Sequence, residues 1–385
     1  MCLFACLFVR KIVLVPFPVS SVKTAHGNNN NQKNKKIKKK DSSMNEAIES
    51  QRSKVQFQFR EAVAPGLVVE MGLKRILHST QSEFQQVDVI ETYFGKTLIT
   101  DGKTQSAEFD EFAYHESLVH PVLLNFKHFT GRSAKTVFIG GGGELATARE
   151  ILRHPQVEKV IMVDLDEKVI DVSVKYLPEW GGETVKNDPR LELIIGDAYA
   201  YLLNEAKDIV FDVIILDISD PIEAGPGIML YTKELYQHAA TLLSPGGVFA
   251  TQAGMADGVP PPHSDAGEKD TICFGPIRNT LAEVFRCVLP YTQTIPSFGS
   301  DWGFVMAFNP LDNKNEGKDG AQEWARMDPQ TIDDLIEQSI RGGEQSLRMY
   351  DGITHLRMFA LTKAVRKQLG RDSRIMTKDN PVFMY

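Results

Sequence analysis

The chain has 385 residues, of which 42% are hydrophobic and 24% are charged. These values are typical of soluble globular proteins, and the length allows one large α/β domain with smaller flanking pieces. The formal net charge is -7, and because residues 35–40 form a basic run, the rest of the chain is more acidic still. An acidic body disfavours nucleic acid and attracts cationic ligands, so we expect no nucleic-acid partner.

The cysteines give no sign of a metal site. Cys2, Cys6, Cys273 and Cys287 include no CxxC pair, and no histidine lies at a spacing that would complete a zinc site. We therefore expect a reducing compartment and no bound metal.

Residues 1–52 are predicted to be a disordered or targeting extension. An apolar stretch at 2–19 is interrupted by Arg10 and Lys11, so it is too short and broken to span a bilayer. The basic, Asn-rich segment up to Lys40 cannot bury enough apolar surface to order itself. We expect a cytoplasmic protein with no membrane association, with an N-terminal targeting peptide as the alternative.

Residues 53–115 are predicted to form a small antiparallel β-strand domain. Alternating stretches at 85–90 and 96–100 are typical of strands, and Asp101-Gly102 is a typical hairpin turn.

Residues 116–310 are predicted to form an α/β catalytic domain with a Rossmann-like, seven-stranded methyltransferase-type sheet. Short apolar segments alternate with helix-length segments, as in a parallel sheet with crossover helices. The predicted strands are 136–139, 159–163, 191–195, 211–216, 247–251, 291–295 and 303–308. An insertion at 256–270, rich in Pro, Gly and Asp, is predicted to be a mobile loop.

Residues 311–385 are predicted to be a linker and a C-terminal extension of unassigned role. The segment 309–321 is polar and contains glycine, which is typical of a linker, and a helix is predicted near 358–369.

The first predicted strand of the sheet runs into four glycines, Gly140 to Gly143, and then Glu144. Glycines at this turn let the backbone approach a ligand closely. Glu144 would repel a phosphate, so the ligand should be neutral or cationic there, although Glu144 could instead be a helix-start residue.

Carboxylates also follow the next two predicted strands. Asp164 could accept hydrogen bonds from two ribose hydroxyls, and Asp197 could accept one from an adenine amino group. Together they indicate an adenosine site without phosphates. Either could instead be a helix cap.

The fourth predicted strand ends in Asp217-Ile218-Ser219-Asp220-Pro221. Two carboxylates at this edge suit a cationic amine, because they can hold an ammonium and accept a proton. A cap at Asp217 and a turn at Asp220 would explain either residue, but not the pair.

These motifs, in this order, resemble the spermidine and spermine synthase family of polyamine aminopropyltransferases. The match extends over about residues 56–308 and includes Asp101-Gly102, Gln105, the segment 110–116 and Leu230-Tyr231. The resemblance implies a homo-oligomer that uses decarboxylated S-adenosylmethionine as co-substrate, with no cofactor.

Within the family, the chain is most similar to the thermospermine synthases of plants and algae. The supporting segments are 147–150, 251–254, 295–298, 301–303 and 349–352. Spermidine synthases usually carry Gln at the place of His115 and Tyr at that of Phe298. Leu145 stands where the family has glycine, so its backbone would be strained if φ is positive.

The resemblance also implies roles for individual residues. Asp217 would accept the proton of the attacking amine or orient it. The donor would be bound by Gln85, Gly141, Gly142, Glu144, Asp164, Asp197 and Ala198. The polyamine would be bound by Tyr114, His115, Asp220, Phe298 and Trp302, although core packing is an alternative for the last two.

The predicted activity is aminopropyl transfer to spermidine, giving thermospermine and methylthioadenosine. Spermine or spermidine synthesis is the first alternative. An S-adenosylmethionine methyltransferase shares the fold, the glycine loop and the Asp164 position, but not the Asp217–Asp220 pair. An inactive, regulatory family member is a further alternative.

Overall fold

Two small antiparallel sheets precede the main sheet. The computed structural model describes residues 57–64, 67–222, 225, 227–256, 272–311 and 317–384, so the predicted extension at 1–52 and nearly all of the loop at 256–270 lie outside the described residues. The strands are β1 (Phe57–Ala64), β2 (Leu67–Leu73), β3 (Arg75–Gln81), β4 (Gln86–Thr92), β5 (Gly95–Thr100) and β6 (Lys103–Ala107). Strand β1 pairs with β2, and β3 to β6 form a four-stranded sheet in chain order.

The predicted hairpin turn at Asp101-Gly102 is confirmed. Both residues have positive φ, 48° and 77°, as the primed turns of two-residue hairpins require. Thr100 pairs with Lys103 across the turn, so the loop is as tight as the sequence predicts.

All seven strands predicted for the main sheet are confirmed. They are β7 (Thr136–Gly141), β8 (Lys159–Asp164), β9 (Leu191–Ile195), β10 (Phe211–Asp217), β11 (Leu243–Met255), β12 (Cys287–Ile295) and β13 (Ser300–Phe308). Their order is β12-β13-β11-β10-β7-β8-β9, and β13 is antiparallel to both of its neighbours. The chain leaves β7 towards β9 and returns to β10 on the other side, so the crevice of this α/β sheet lies at the ends of β7 and β10.

Helices cover both faces of this sheet. They are α1 (Glu111–Thr130), α2 (Ala146–Leu152), α3 (Glu167–Tyr176), α4 (Gly182–Lys186), α5 (Ala198–Asn204), α6 (Lys233–Leu242), α7 (Phe274–Ala282), α8 (Gly317–Ala325), α9 (Pro329–Ser339), α10 (Gly352–Phe359) and α11 (Lys363–Arg371). Val213 and Ile215 of β10 belong to one apolar cluster, and Ile214 and Leu216 to the other. Because successive side chains of a strand alternate between faces, β10 is buried on both sides. Within the described ranges, no helix is both long and apolar enough to cross a bilayer.

The C-terminal extension differs from the prediction in two places. Helix α8 begins at Gly317, inside the segment interpreted as a linker. The single helix predicted near 358–369 is two helices, because Ala360 leaves the helical conformation and the Thr362 side chain caps α11 by accepting a hydrogen bond from Val365 N.

The extension is anchored to α1. The buried carboxylate of Glu116 accepts hydrogen bonds from the backbone N–H groups of Arg348, Met349 and Tyr350, each at 2.8 Å. Helix α1 also runs across the predicted domain boundary between residues 115 and 116. The domain limits therefore stay predictions.

Leu145 adopts the backbone conformation that the sequence made suspect. Its φ is 74°, in the left-handed region, and its side chain is fully buried. A non-glycine residue there crowds its Cβ against the backbone, at a cost of about 1–2 kcal/mol. Burial of a leucine side chain in the core offsets that strain.

Replacing Leu145 should separate these two effects. Leu145→Ala should lower the free energy of unfolding by about 3 kcal/mol through lost burial. Leu145→Gly loses the same burial but removes the strain, so it should be about 1 kcal/mol more stable than Leu145→Ala. Urea unfolding of the two variants tests this order, and an alanine variant as stable as the glycine variant would contradict it.

Candidate active site

A cavity of about 550 Å³ lies at the carboxyl ends of the central strands, and the N-terminal β-strands form part of its wall. Twelve of the thirteen residues predicted for the site line it: Gln85, Tyr114, Gly141, Gly142, Glu144, Asp164, Asp197, Ala198, Asp217, Asp220, Phe298 and Trp302. His115 does not. The sheet thus brings together side chains from distant parts of the chain.

The glycine loop lies directly against the end of β10. Gly141 and Gly142 have φ of 82° and 78°, and a Cβ on Gly141 would lie 2.2 Å from the carbonyl oxygen of Asp217. The N–H of Gly142 donates to that same oxygen at 2.9 Å. Glycine is therefore required at Gly141 by both space and conformation, and the loop leads Glu144 into the cavity.

Asp166, just after β8, connects that strand end to the turn between β3 and β4. Its Oδ2 accepts hydrogen bonds from Ser82 Oγ at 2.7 Å and Gln85 Nε2 at 3.0 Å, while its Oδ1 caps α3. Asp164 Oδ1 in turn accepts from Asp166 N at 2.9 Å, and burial raises the pKa of Asp164 to about 7. This network holds Gln85 beside Asp164.

Asp197 lines the cavity and is also a helix cap. Its Oδ1 accepts a hydrogen bond from Tyr199 N at 2.8 Å at the start of α5. The cap interpretation is therefore confirmed for Asp197, whereas the cap of α3 is Asp166 and not Asp164.

Asp217 is held by two hydroxyl groups. Tyr114 Oη donates to its Oδ1 at 2.8 Å, and Thr147 Oγ1 donates to its Oδ2 at 2.5 Å. Burial, reinforced by the negative charge of Glu144, raises the pKa of Asp217 to about 6. Asp217 is thus a stronger base than an exposed aspartate, and its orientation is fixed.

Asp220 is positioned by Gln252. Gln252 Nε2 lies 3.1 Å from Asp220 Oδ1, 2.8 Å from the carbonyl oxygen of Ile218 and 2.7 Å from Tyr231 Oη. Burial raises the pKa of Asp220 to about 6. The hydrogen bond from Gln252 acts in the opposite direction, because it favours the charged carboxylate.

Some groups at the site were not predicted from the sequence. Thr147 and Gln252 lie in segments that resemble the family, but the sequence assigned them no role and did not predict their contacts with the aspartates. Glu61 and Met384, which line the cavity from near the first and last described residues, belong to no motif recognised in the sequence. Glu61 is buried, and its Oε2 accepts a hydrogen bond from Thr104 Oγ1 at 2.6 Å.

His115 lies beneath the site and bridges two glutamates. Its Nε2 is 2.9 Å from Glu144 Oε1, and its Nδ1 is 2.6 Å from the carbonyl oxygen of Glu111 and 3.2 Å from Glu111 Oε2. Burial disfavours the charged ring, but the hydrogen bonds that His115 donates to Glu111 and Glu144 raise its pKa to about 10. His115 is therefore an imidazolium that holds Glu144.

His115, Glu144 and Asp217 also place three possible metal-ligand atoms within 4.8 Å of one another. A protonated imidazole has no lone pair for a metal, so the hydrogen bonds described above disfavour this trio as a metal site. The expectation of no bound metal stays a prediction.

His115→Gln should change how stability depends on pH. A raised histidine pKa stabilises the fold fully below its unfolded value near 6.5 and loses that contribution as pH rises towards about 10. The wild type should therefore lose up to about 1.4 kcal/mol per pH unit more than His115→Gln across this window. Urea unfolding at several pH values measures the difference, and parallel curves for both proteins would contradict the ion pair.

Family models match two consecutive parts of the chain. Residues 57–108 match the spermidine synthase tetramerisation domain, and residues 111–318 match the spermine/spermidine synthase domain. The two ranges meet just before α1.

Curated relatives match over most of their length. A polyamine aminopropyltransferase of Aeropyrum pernix is 38% identical over 327 residues, which cover 85% of this chain and 95% of the relative. The thermospermine synthase ACAULIS5 of Arabidopsis thaliana is 36% identical over 333 residues, 85% of this chain and 87% of the relative.

Solved structures show the same fold. A spermidine synthase in complex with the transition-state analogue AdoDATO has a TM-score of 0.65 and 29% identity, over 81% of this chain and 94% of that one. The spermidine synthase of Thermotoga maritima has a TM-score of 0.63 and 27% identity over the same shares. The Rossmann-like, methyltransferase-type fold is thereby confirmed, and the chain belongs to the spermine/spermidine synthase family of aminopropyltransferases.

Proposed function

We propose that this chain transfers the aminopropyl group of decarboxylated S-adenosylmethionine to spermidine, forming thermospermine and methylthioadenosine. The observation that carries the proposal is the pair Asp217 and Asp220, at and just after the end of β10. Both line the same cavity as Glu144. Three carboxylates around one cavity suit substrates that carry several ammonium groups.

The donor would occupy the half of the cavity beneath the glycine loop. Asp164 would accept hydrogen bonds from the ribose, and Asp197 with Ala198 would border the adenine. Gly141 and Gly142 would allow close backbone approach, while Gln85 would close this half from the β-domain. The proposal needs no cofactor, since the donor is a co-substrate that carries its own leaving group.

Glu144 would select the decarboxylated donor. This donor carries an ammonium and lacks the carboxylate of ordinary S-adenosylmethionine, which Glu144 would repel. His115 holds Glu144 by a hydrogen bond of 2.9 Å, and we assign it a positioning role in place of the polyamine contact expected from the sequence.

The reaction would be a direct displacement at the methylene carbon next to sulfur. The lone pair of a neutral amine forms the C–N bond while the C–S bond breaks, and sulfur keeps that electron pair as a neutral thioether. The nitrogen then loses a proton, which Asp217 is placed to accept. With a pKa of about 6, Asp217 remains a weak base, so orienting the amine is an equal part of its role.

The polyamine would extend past Tyr114 and Asp220. The rings of Phe298 and Trp302 are 4.6 Å apart and both line the cavity, so they can pack on an alkyl segment as well as on each other. Thermospermine and spermine differ in which end of spermidine attacks. The similarity to the Arabidopsis thermospermine synthase supports the first product.

The leading alternative keeps the mechanism and changes the amine. Similarity to two spermidine synthase structures favours putrescine as the alternative acceptor. A methyltransferase is disfavoured because the cavity includes the Asp217–Asp220 pair and residues of the N-terminal β-strands.

The proposal includes a homo-oligomer in a reducing compartment such as the cytoplasm. The match to a tetramerisation domain supports assembly, as do the exposed apolar side chains of Leu67, Val68 and Tyr93 in the same region. The small number of cysteines, four in 385 residues, suits a reducing compartment.

A product assay tests the activity. Purified protein with decarboxylated S-adenosylmethionine and spermidine should yield thermospermine and methylthioadenosine, on a separation that resolves the tetraamine isomers. Asp217→Asn should be slower by about 10²–10⁴-fold, because the amide can neither accept the proton nor hold the ammonium by charge. Spermine as product would overturn the choice of attacking end, and spermidine made from putrescine would overturn the acceptor. Methyl transfer from S-adenosylmethionine alone would overturn the reaction class.

Thr147→Val should raise the pH below which the rate of transfer falls. Asp217 must be ionised to act, so kcat/KM for the amine falls as pH drops through about 6. Loss of the Thr147 hydrogen bond disfavours the carboxylate and should raise this apparent pKa by about one unit. Dividing the kcat/KM of the variant by that of the wild type at each pH removes the effect of amine ionisation, which is the same for both proteins. Thr147→Ser keeps the hydroxyl and is the control; identical profiles for valine and serine would refute the role of this bond.

A further inference from the structure

The last residues of the described chain form a tail that crosses one helical layer. Asn279 Nδ2 of α7 donates to the carbonyl oxygen of Asp372 at 2.7 Å. Further along, Met376 N donates to Thr280 Oγ1 at 2.8 Å, and Lys233 N of α6 donates to the carbonyl oxygen of Met376 at 2.9 Å. The tail, residues 372–384, is thus fixed along its course.

The tail ends at the cavity. Met384 N donates to the carbonyl oxygen of Pro221 at 2.7 Å, and Met384 forms a parallel β-bridge with Ile222. Both Met384 and Ile222 line the cavity. The tail therefore joins the segment that begins at Asp220.

Gly254 shows how close the Met384 side chain lies to the Asp220 carboxylate. A Cβ on Gly254 would be 2.7 Å from Met384 Sδ and 3.4 Å from Asp220 Oδ1. The absence of a side chain at Gly254 therefore lets the Met384 thioether lie this close to the backbone, next to the Asp220 carboxylate.

This juxtaposition suits a chain of methylenes between charged nitrogens. A carboxylate holds an ammonium, while a thioether is apolar and adapts its shape to an alkyl segment. Ile222, 40% exposed, adds apolar surface on the same side. A second ammonium would lose hydration against Met384 without gaining a partner.

We infer that Met384 is a specificity-determining residue for the amine acceptor, because it forms the apolar wall beside Asp220 against which the alkyl segment of the polyamine packs. The inference rests on the proposed function and deepens it. It gives the C-terminal extension a direct part in the choice of acceptor.

Four variants of the full chain test this. Met384→Ala removes the wall, Met384→Leu keeps an apolar side chain of similar size, and Met384→Lys places a cation beside Asp220. Met349→Ala is the matched control, since Met349 is a half-buried methionine of the same extension that does not line the cavity. Thermal unfolding checks that each variant folds.

Steady-state kinetics should separate the acceptor from the donor. Met384→Ala should change the ratio of kcat/KM for spermidine to that for putrescine by ~10-fold, through KM of the amine. Met384→Leu should stay within about twofold of the wild type. KM for the donor should be unchanged in every variant, and Met349→Ala should leave both substrates unaffected. A ratio in Met384→Ala equal to that of the wild type would overturn the inference.

A binding measurement without turnover distinguishes a failure of the proposed function from a failure of the role proposed for Met384. Calorimetry in the presence of methylthioadenosine should show that the wild type binds spermidine. Met384→Lys should bind spermidine about 10-fold more weakly, because its new ammonium repels the polyamine. Wild-type protein that binds spermidine but transfers nothing would contradict the proposed function alone. Equal spermidine affinity in Met384→Lys and wild type, or no spermidine binding by the wild type, would overturn the role of Met384.

Discussion

The close contact between the glycine loop and the end of β10 determines where the other groups of the cavity lie. Gly142 N–H donates to the carbonyl oxygen of Asp217, and only a residue without Cβ fits at Gly141. This contact brings Glu144 and Asp217 into one cavity and places Thr147, in the first turn of α2, against the Asp217 carboxylate. The same loop continues into Leu145, which has a left-handed backbone and a buried side chain. The carboxylates of the site and the strained leucine therefore lie within one short stretch of the structure.

Cationic side chains balance the negative charge of the cavity carboxylates only in part. His115 is a buried cation shared by Glu111 and Glu144, and Arg149 NH2 donates to Glu111 Oε2 at 2.8 Å. Asp164, Asp217 and Asp220 face the cavity, and burial raises the pKa of each. Nearby positive charge, from His115 at Asp217 and from Lys103 at Asp220, offsets this effect of burial only in part. In the proposed complex, the sulfonium and ammonium groups of the substrates would offset it further.

The sequence was sufficient to predict the sheet and most of the cavity, because strand ends are local features. Apolar runs mark the strands, and the carboxyl ends of parallel strands meet at one edge, so Asp164, Asp197 and Asp217 could be grouped without a structure. His115 was misplaced because consecutive residues of a helix point about 100° apart, and only Tyr114 faces the cavity. The break before α11 followed from the Thr362 cap, a signal that was present but not used. Met384 approaches from the far end of the chain, where no local pattern indicates its position.

The cavity is walled by both ends of the described chain, with Glu61 on β1 and Met384 near the C-terminus. A protein made from its N-terminus would form the sheet, the glycine loop and the aspartate pair well before that last wall exists. The position of Met384 outside any helix or strand allows evolution to change this side of the cavity through a few codons of the tail, without altering the strands and loops that carry Glu144, Asp164 and Asp217.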